Sequence, residues 1–179
     1  MPTSVSKVNF TPLTSVLDIH RRDFPLADRT LVNPSNAVCL VDGEWLTLNS
    51  SQQAVRASVI GTLGNRATVR SFPLWAERGR YDVQVLGKVP LIFVGDGEFD
   101  TLIYDSAVAL GAGAAITAAL QPLKVATIAI GGRNYSGLVG HGGSADTDPV
   151  VGYVTKLPSG ANGMLRFKLG HRSLLAGTK

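Results

Sequence analysis

Residues 149–169 read PVVGYVTKL-PSGANG-MLRFKL, two apolar runs on either side of a loop of turn-forming residues. In the second run Leu165, Phe167 and Leu169 alternate with Met164, Arg166 and Lys168. That two-residue period belongs to a strand buried on one face, whereas a helix needs apolar positions every three or four residues. The stretch is therefore a terminal β-hairpin. Tyr153 and Phe167, on its neighbouring strands, are expected to make a cross-strand aromatic contact.

The same pattern recurs upstream. Twenty glycines and nine prolines divide the chain into brief segments rich in Val, Ile, Leu and Thr, the signature of an all-β domain. Residues 124–130 (KVATIAI) form one strand. Residues 80–94 (RYDVQVLGKVPLIFV) form two, broken at Gly87 and Pro90, with Tyr81, Val83 and Val85 alternating against Asp82 and Gln84. Residues 37–48 read as a hairpin closed by a two-residue Asp42-Gly43 turn, since Asp-Gly suits a type I′ turn with positive φ at both positions. On its return strand Trp45 and Thr47 share one face and Leu46 and Leu48 the other, so both sides are candidates for burial. Glu44 opens that strand as an ordinary exposed acid. Asp96-Gly97 is expected to turn the chain between two later strands in the same way.

Other segments are less regular. Residues 106–120 are alanine-rich, which favours helix, but Gly111 and Gly113 interrupt them. A loop through Gly113 followed by a short strand over 115–118 is expected, with a short helix as the alternative. Residues 50–66 read as strand and loop, and 131–148 as a long glycine-rich loop. Prolines at 2, 12, 25 and 34 forbid a long regular element in residues 1–36. That segment is expected to be an extended arm that becomes ordered against a partner, leaving 37–179 as a β-rich body.

A chain of 179 residues fits one domain with such an arm, and a domain of this size buries roughly 70% of the surface its unfolded chain exposes. No apolar run approaches the ~18 residues of a membrane-spanning helix, and residues 1–16 lack the basic cluster and apolar block of a signal peptide. Cys39 is the single cysteine, which excludes an internal disulfide and suits synthesis in a reducing cytoplasm. Net charge is +4, and the densest basic cluster is His20-Arg21-Arg22. Nucleic-acid binders concentrate more charge on one face, often with stacking aromatics. A solvated or partner-facing basic surface is the simpler expectation, with no direct nucleic-acid partner.

The acidic residues and histidines are the candidates for chemistry. Asp42, Glu44, Asp96 and Glu98 sit in two matching Asp-Gly-Glu-aromatic contexts. Acid/base catalysis needs two carboxylates converging in a cleft, and no spacing here requires that. Asp96, Glu98 and Asp100 alternate as calcium ligands do, without the rest of such a loop. Ser144, His141 and Asp146 lie in GHGGSADTD, which lacks both a G-x-S-x-G elbow and a phosphate-loop lysine. His141 is expected to face solvent, and His171-Arg172 to form a cationic tail. The expectation is a non-enzyme with no cofactor and no metal. A metal-dependent hydrolase using Asp96, Glu98, Asp100 and His141 is the contrasting possibility.

Three blocks, taken in order, resemble a family: NPSNAVCLVDGEWLTLN, GRYDVQVLGKVPLIFVGDGEFDTLIYDSAVALGAGAAIT and DPVVGYVTKLPSGANGMLRFKL. Together they are similar to the decoration (cement) proteins of tailed-bacteriophage capsids, over roughly residues 33–169. The resemblance implies a compact β-barrel or β-sandwich with an extended N-terminal arm. It implies a homotrimer bound to the major capsid protein on the outer surface of the assembled shell, bracing capsomers against packaged DNA. His20, Arg21, Arg22 and Phe24 are then the candidates for capsid contact, and removal of residues 1–25 is expected to leave a folded body that no longer binds expanded capsids. Another virion component, such as a tail, spike or head-fibre base, shares the same composition.

Overall fold

The computed structural model describes residues 10–13, 20–29, 40–41, 43–56, 72–73, 87–94, 97–108, 110, 113–143, 148, 150–160 and 162–169. Those residues form eleven β-strands and no α-helix. Residues 37–39, Asp42, 57–71, 80–86, Asp96, 144–147 and 170–179 lie outside them, and with them parts of the expected strands, Ser144, Asp146, His171 and Arg172.

The longest ladder is β8 (Pro122–Ile130) against β9 (Arg133–Gly140), in register from Leu123↔Gly140 to Ile130↔Arg133. Gly131 and Gly132 turn the chain between them with φ of 57° and 78°. Left-handed geometry at both positions matches the twist of the paired strands, and glycine adopts it without steric cost. The glycine-rich loop expected over 131–148 is thus largely a strand. Gly137 and Gly140 mark close approaches along it. A Cβ at Gly137 would lie 2.7 Å from the Ile103 carbonyl oxygen, and one at Gly140 2.5 Å from that of Ala114.

These two strands end a six-stranded antiparallel sheet that also contains β10 (Gly152–Lys156), β11 (Leu165–Leu169), β7 (Glu98–Thr101) and β1 (Phe10–Pro12), in the order β1-β7-β11-β10-β8-β9. The sheet curls into a half-barrel. Thr101 Oγ1 accepts from Ile103 N at 3.0 Å, and the chain leaving β7 then reaches the far edge of β9. There Leu138 N donates to Ile103 O at 3.0 Å and Asp105 N to Leu138 O at 2.9 Å. From β7 through β11, β10 and β8 to β9 the sheet has five strands in antiparallel succession, so β7 and β9 run the same way. The joining contact must be parallel, and Tyr104↔Leu138 is a parallel bridge.

Inside the curl lie Phe99, Tyr104, Leu123, Val125, Leu138, Val154, Leu165 and Phe167. The terminal hairpin is present with a bulge at Thr155, and Leu165 and Phe167 point inward as their alternation requires. Tyr153 faces Lys168 while Phe167 faces Val154, which sends the two aromatics to opposite sides of the sheet. The expected Tyr153–Phe167 contact is replaced by Phe167 against Phe99 and Trp45, with ring centroids 5.7 and 6.2 Å apart.

Trp45 comes from a second layer. There β3 (Trp45–Leu48) lies between β4 (Ala54–Arg56) and β5 (Phe72–Pro73), while β2 (His20–Pro25) pairs with β6 (Lys88–Val94). Leu26 bridges to Ala54, and Ala27 N donates to Ala54 O at 3.1 Å, linking the two small sheets. Both faces of β3 are buried: Trp45 enters the barrel core, and Leu46 and Leu48 pack with Leu26, Ala54 and Val89. A third cluster, Ile103, Ala126, Ile128, Ile130, Tyr135 and Val139, covers the other side of the β8–β9 ladder.

Several expected elements differ. Leu40 and Val41 carry no strand, and the neighbours of β3 among the described residues are β4 and β5; residues 37–39 of the expected hairpin lie outside them. Pro90 sits within β6 instead of breaking it, as a two-stranded ribbon leaves one edge without need of a proline N–H. Gly97 joins β6 to β7, which belong to different sheets, so this connection is not a hairpin turn. Residues 115–117 form no strand; only Ala114 bridges, to Gly140. Within the segment expected as an arm, β1 is hydrogen-bonded to β7 and β2 to β6. Truncation through residue 25 would therefore strip two sheet partners from the body.

Candidate functional site

With Phe99, Phe167 and Val154 turned inward, strand pleating sends Glu98, Asp100, Arg166, Lys168 and Tyr153 to the outer face of the six-stranded sheet. Arg166 stands directly opposite Asp100 and grips it with both arms of its guanidinium, Nε to Oδ1 at 2.8 Å and Nη2 to Oδ2 at 3.1 Å. This pairing, together with the nearby Glu98 charge, raises the pKa of the Arg166 guanidinium and fixes its charge. Glu98 accepts a hydrogen bond from Thr155, whose bulge places the hydroxyl over β11. The two carboxylates of this face are thus held flat against it. Lys156 and Lys168 extend from it into solvent.

Apolar residues stand at either end of this charged strip. Leu13, beside β7 through Leu13 N to Glu98 O at 2.8 Å, is 43% exposed. On the opposite side Tyr153 is 46% exposed and Leu120 is 76% exposed. Leu120 N donates to Val154 O at 2.7 Å, which fixes its backbone beside β10, at the residue after Tyr153. A pre-ordered outer face with exposed aromatic and aliphatic groups beside tethered charges suits contact with another macromolecule.

The sequence-derived candidates fall in different places. His20, Arg21 and Arg22 lie on β2 opposite Val94, Ile92 and Leu91, with a register shift between His20 and Arg21. Phe24 packs toward the cluster of Leu26, Leu46 and Val89, so its ring serves that core rather than an outer contact. Gly43 occupies the third position of a turn in which Glu44 N donates to Val41 O at 3.2 Å, with φ of 81°. Gly97 instead leaves room for the Phe99 ring, which would lie 2.6 Å from a Cβ there. Asp42 and Asp96 lie outside the described residues.

Glu44 differs most from expectation. It is fully buried, and its carboxylate accepts from Val41 N at 3.2 Å, Ser136 N at 3.1 Å, and the Arg56 guanidinium through both Nε and Nη2. Burial pushes its pKa up, while Arg56 and the two amides pull against that shift. The carboxylate ties β4 of one sheet to β9 of the other, a structural task.

His141 is also tied into the body. Its Nδ1 accepts from Gly143 N at 3.2 Å and its Nε2 meets Asp148 O at 2.9 Å, so the ring donates from Nε2. Asp148 pairs with Lys124 at 2.8 Å, each side chain nine-tenths buried. On the sheet β11, β10 and β8 stand between His141, next to β9, and the Glu98–Asp100 pair on β7. Of the four residues considered for a hydrolase, Asp96 lies outside the described residues, and Glu98 and Asp100 are not gathered with His141 on this sheet. Among the described residues no group of three or more His, Cys, Asp or Glu is placed to hold a metal ion, and no helix is long and apolar enough to cross a membrane.

No protein-family model, curated protein or solved structure matches this chain. Its outer sheet face is legible in the sequence only in part. Arg166 and Lys168 alternate visibly with the core residues of β11, but the exposure of Leu120 and Tyr153 depends on strand pairing that local sequence does not encode.

Proposed function

We propose that the chain is a structural virion protein that binds the outer surface of an assembled phage capsid and cements neighbouring capsomers. The observation that carries this reading is the outer face of β7, β11 and β10, where Leu13, Tyr153 and Leu120 stand exposed near a strip of tethered charge. Support also comes from the order of the three sequence blocks, which resembles that of decoration proteins.

The mechanism follows from mass action. A protein that binds only the assembled lattice stabilises that state by an amount set by its concentration relative to its dissociation constant. Bridging two capsomers adds its own contacts to those that must break before the shell opens. A trimer would present three copies of the face, and linked sites bind far more tightly than single ones. The major capsid protein is the partner in this scheme, and no bound cofactor enters it.

The test is reconstitution. Purified protein added to capsids that lack it should raise the temperature at which packaged DNA is released. An unchanged release temperature at saturating protein would refute the cementing role.

A further inference from the structure

Leu120 combines two unfavourable features: it is the most exposed large apolar side chain among the described residues, and its φ is +62°. A non-glycine residue in the left-handed region carries steric strain, and apolar exposure adds no stability to the isolated chain. The surrounding loop is nonetheless clamped in this shape. The Gln121 amide reaches back across it, Oε1 accepting from Thr117 N at 2.9 Å and Nε2 donating to Ala115 O at 2.7 Å. Gly140 makes room for that amide, since a Cβ there would lie 2.5 Å from Gln121 Nε2. Leu120 N is fixed in turn to Val154 O. Strain held in place by surrounding structure points to a use outside the fold.

We infer that Leu120 and Tyr153 are the anchor of the capsid contact, and that they seat in an apolar recess with an acidic rim on the shell surface. The inference rests on the cementing role and specifies its surface. Charge complementarity selects the occupant. Asp100 is engaged by Arg166, and Glu98 by Thr155 with Lys168 opposite it across the β7–β11 ladder; Lys156 and Lys168 stand exposed, and with Arg166 these cations outnumber the two carboxylates of the face. The charge offered beside the anchor is positive, so the complementary rim is negative. Rigid aromatic and aliphatic groups at the centre with cations around them match the usual distribution of binding energy, in which a few anchors dominate.

The experiment is co-sedimentation of the full chain with capsids isolated from the virus that carries its gene and stripped of this protein, in parallel with sedimentation equilibrium of the chain alone. Leu120→Asp should weaken binding about tenfold or more, and Lys168→Glu should weaken it most at low salt. Leu120→Gly, which relieves the φ strain, should lose binding while its thermal midpoint stays level or rises, separating docking from folding. Wild-type binding that Leu120→Asp and Lys168→Glu leave unchanged would overturn the inference while the cementing role stands. A Leu120→Asp chain that changes its oligomeric state but still binds capsids would also overturn it, assigning the patch to contacts between copies. Failure of the wild type to bind at all would refute the cementing role itself, and the proposed occupant with it.

Discussion

At the scale of single residues, the Glu44–Arg56 pair has the greatest leverage on stability. A fully buried carboxylate is stable only while its donors remain, and the guanidinium supplies two of the four hydrogen bonds it accepts. Replacing Arg56 with Ala strands the charge, and breaking a buried pair in this way costs about 3–5 kcal/mol. Urea denaturation should show that loss as a lower midpoint with an unchanged slope. The pH dependence follows from the direction of the Glu44 shift. Burial raises its pKa above the ordinary value of 4.5, so the fold holds this proton more tightly than the unfolded chain does. The contribution is fully present below the unfolded value and is lost as pH rises through the raised folded value. Glu44→Gln should therefore flatten the decline in stability as pH rises above the ordinary carboxylate range, relative to the wild type. An identical slope in the two proteins would show that Glu44 does not titrate in that window.

At the scale of elements, the β8–β9 hairpin separates two uses of glycine. Gly132 has φ of 78° and open space where a Cβ would go, so Gly132→Ala meets only the backbone cost, about 1–2 kcal/mol. At Gly137 a Cβ would press on Ile128 and on the Ile103 carbonyl, where the chain closes the ring onto β9. Gly137→Ala should lower the thermal midpoint by more than Gly132→Ala does, and the reverse order would contradict the closure. The same residues explain what the sequence concealed. Leu165, Phe167 and Leu169 display a strand openly, because only side chains pack against them. In β9, Gly137 and Gly140 interrupt the apolar alternation because neighbouring backbone occupies their Cβ positions, and the strand resembles a loop. Glu44 misled for a similar reason. Its partners Arg56 and Ser136 stand 12 and 92 residues away, beyond any local pattern.

At the scale of the whole molecule, the all-β class was visible in the spacing of glycines, prolines and β-branched residues. The ring closure and the second layer were not visible, since both depend on which distant strands meet. In the proposed role the body is a rigid platform. Phe99, Phe167 and Trp45 lock the two layers together, and the outer sheet face is held ready by Arg166, Asp100, Glu98 and Thr155. Pre-organisation of this kind favours binding because little freedom remains to be lost on contact. The most direct test is quantitative mass spectrometry of purified virions. A cementing protein should appear in a fixed ratio to the major shell protein through repeated gradient purification. Absence from the particles, or a ratio that falls with each purification step, would contradict the proposed role.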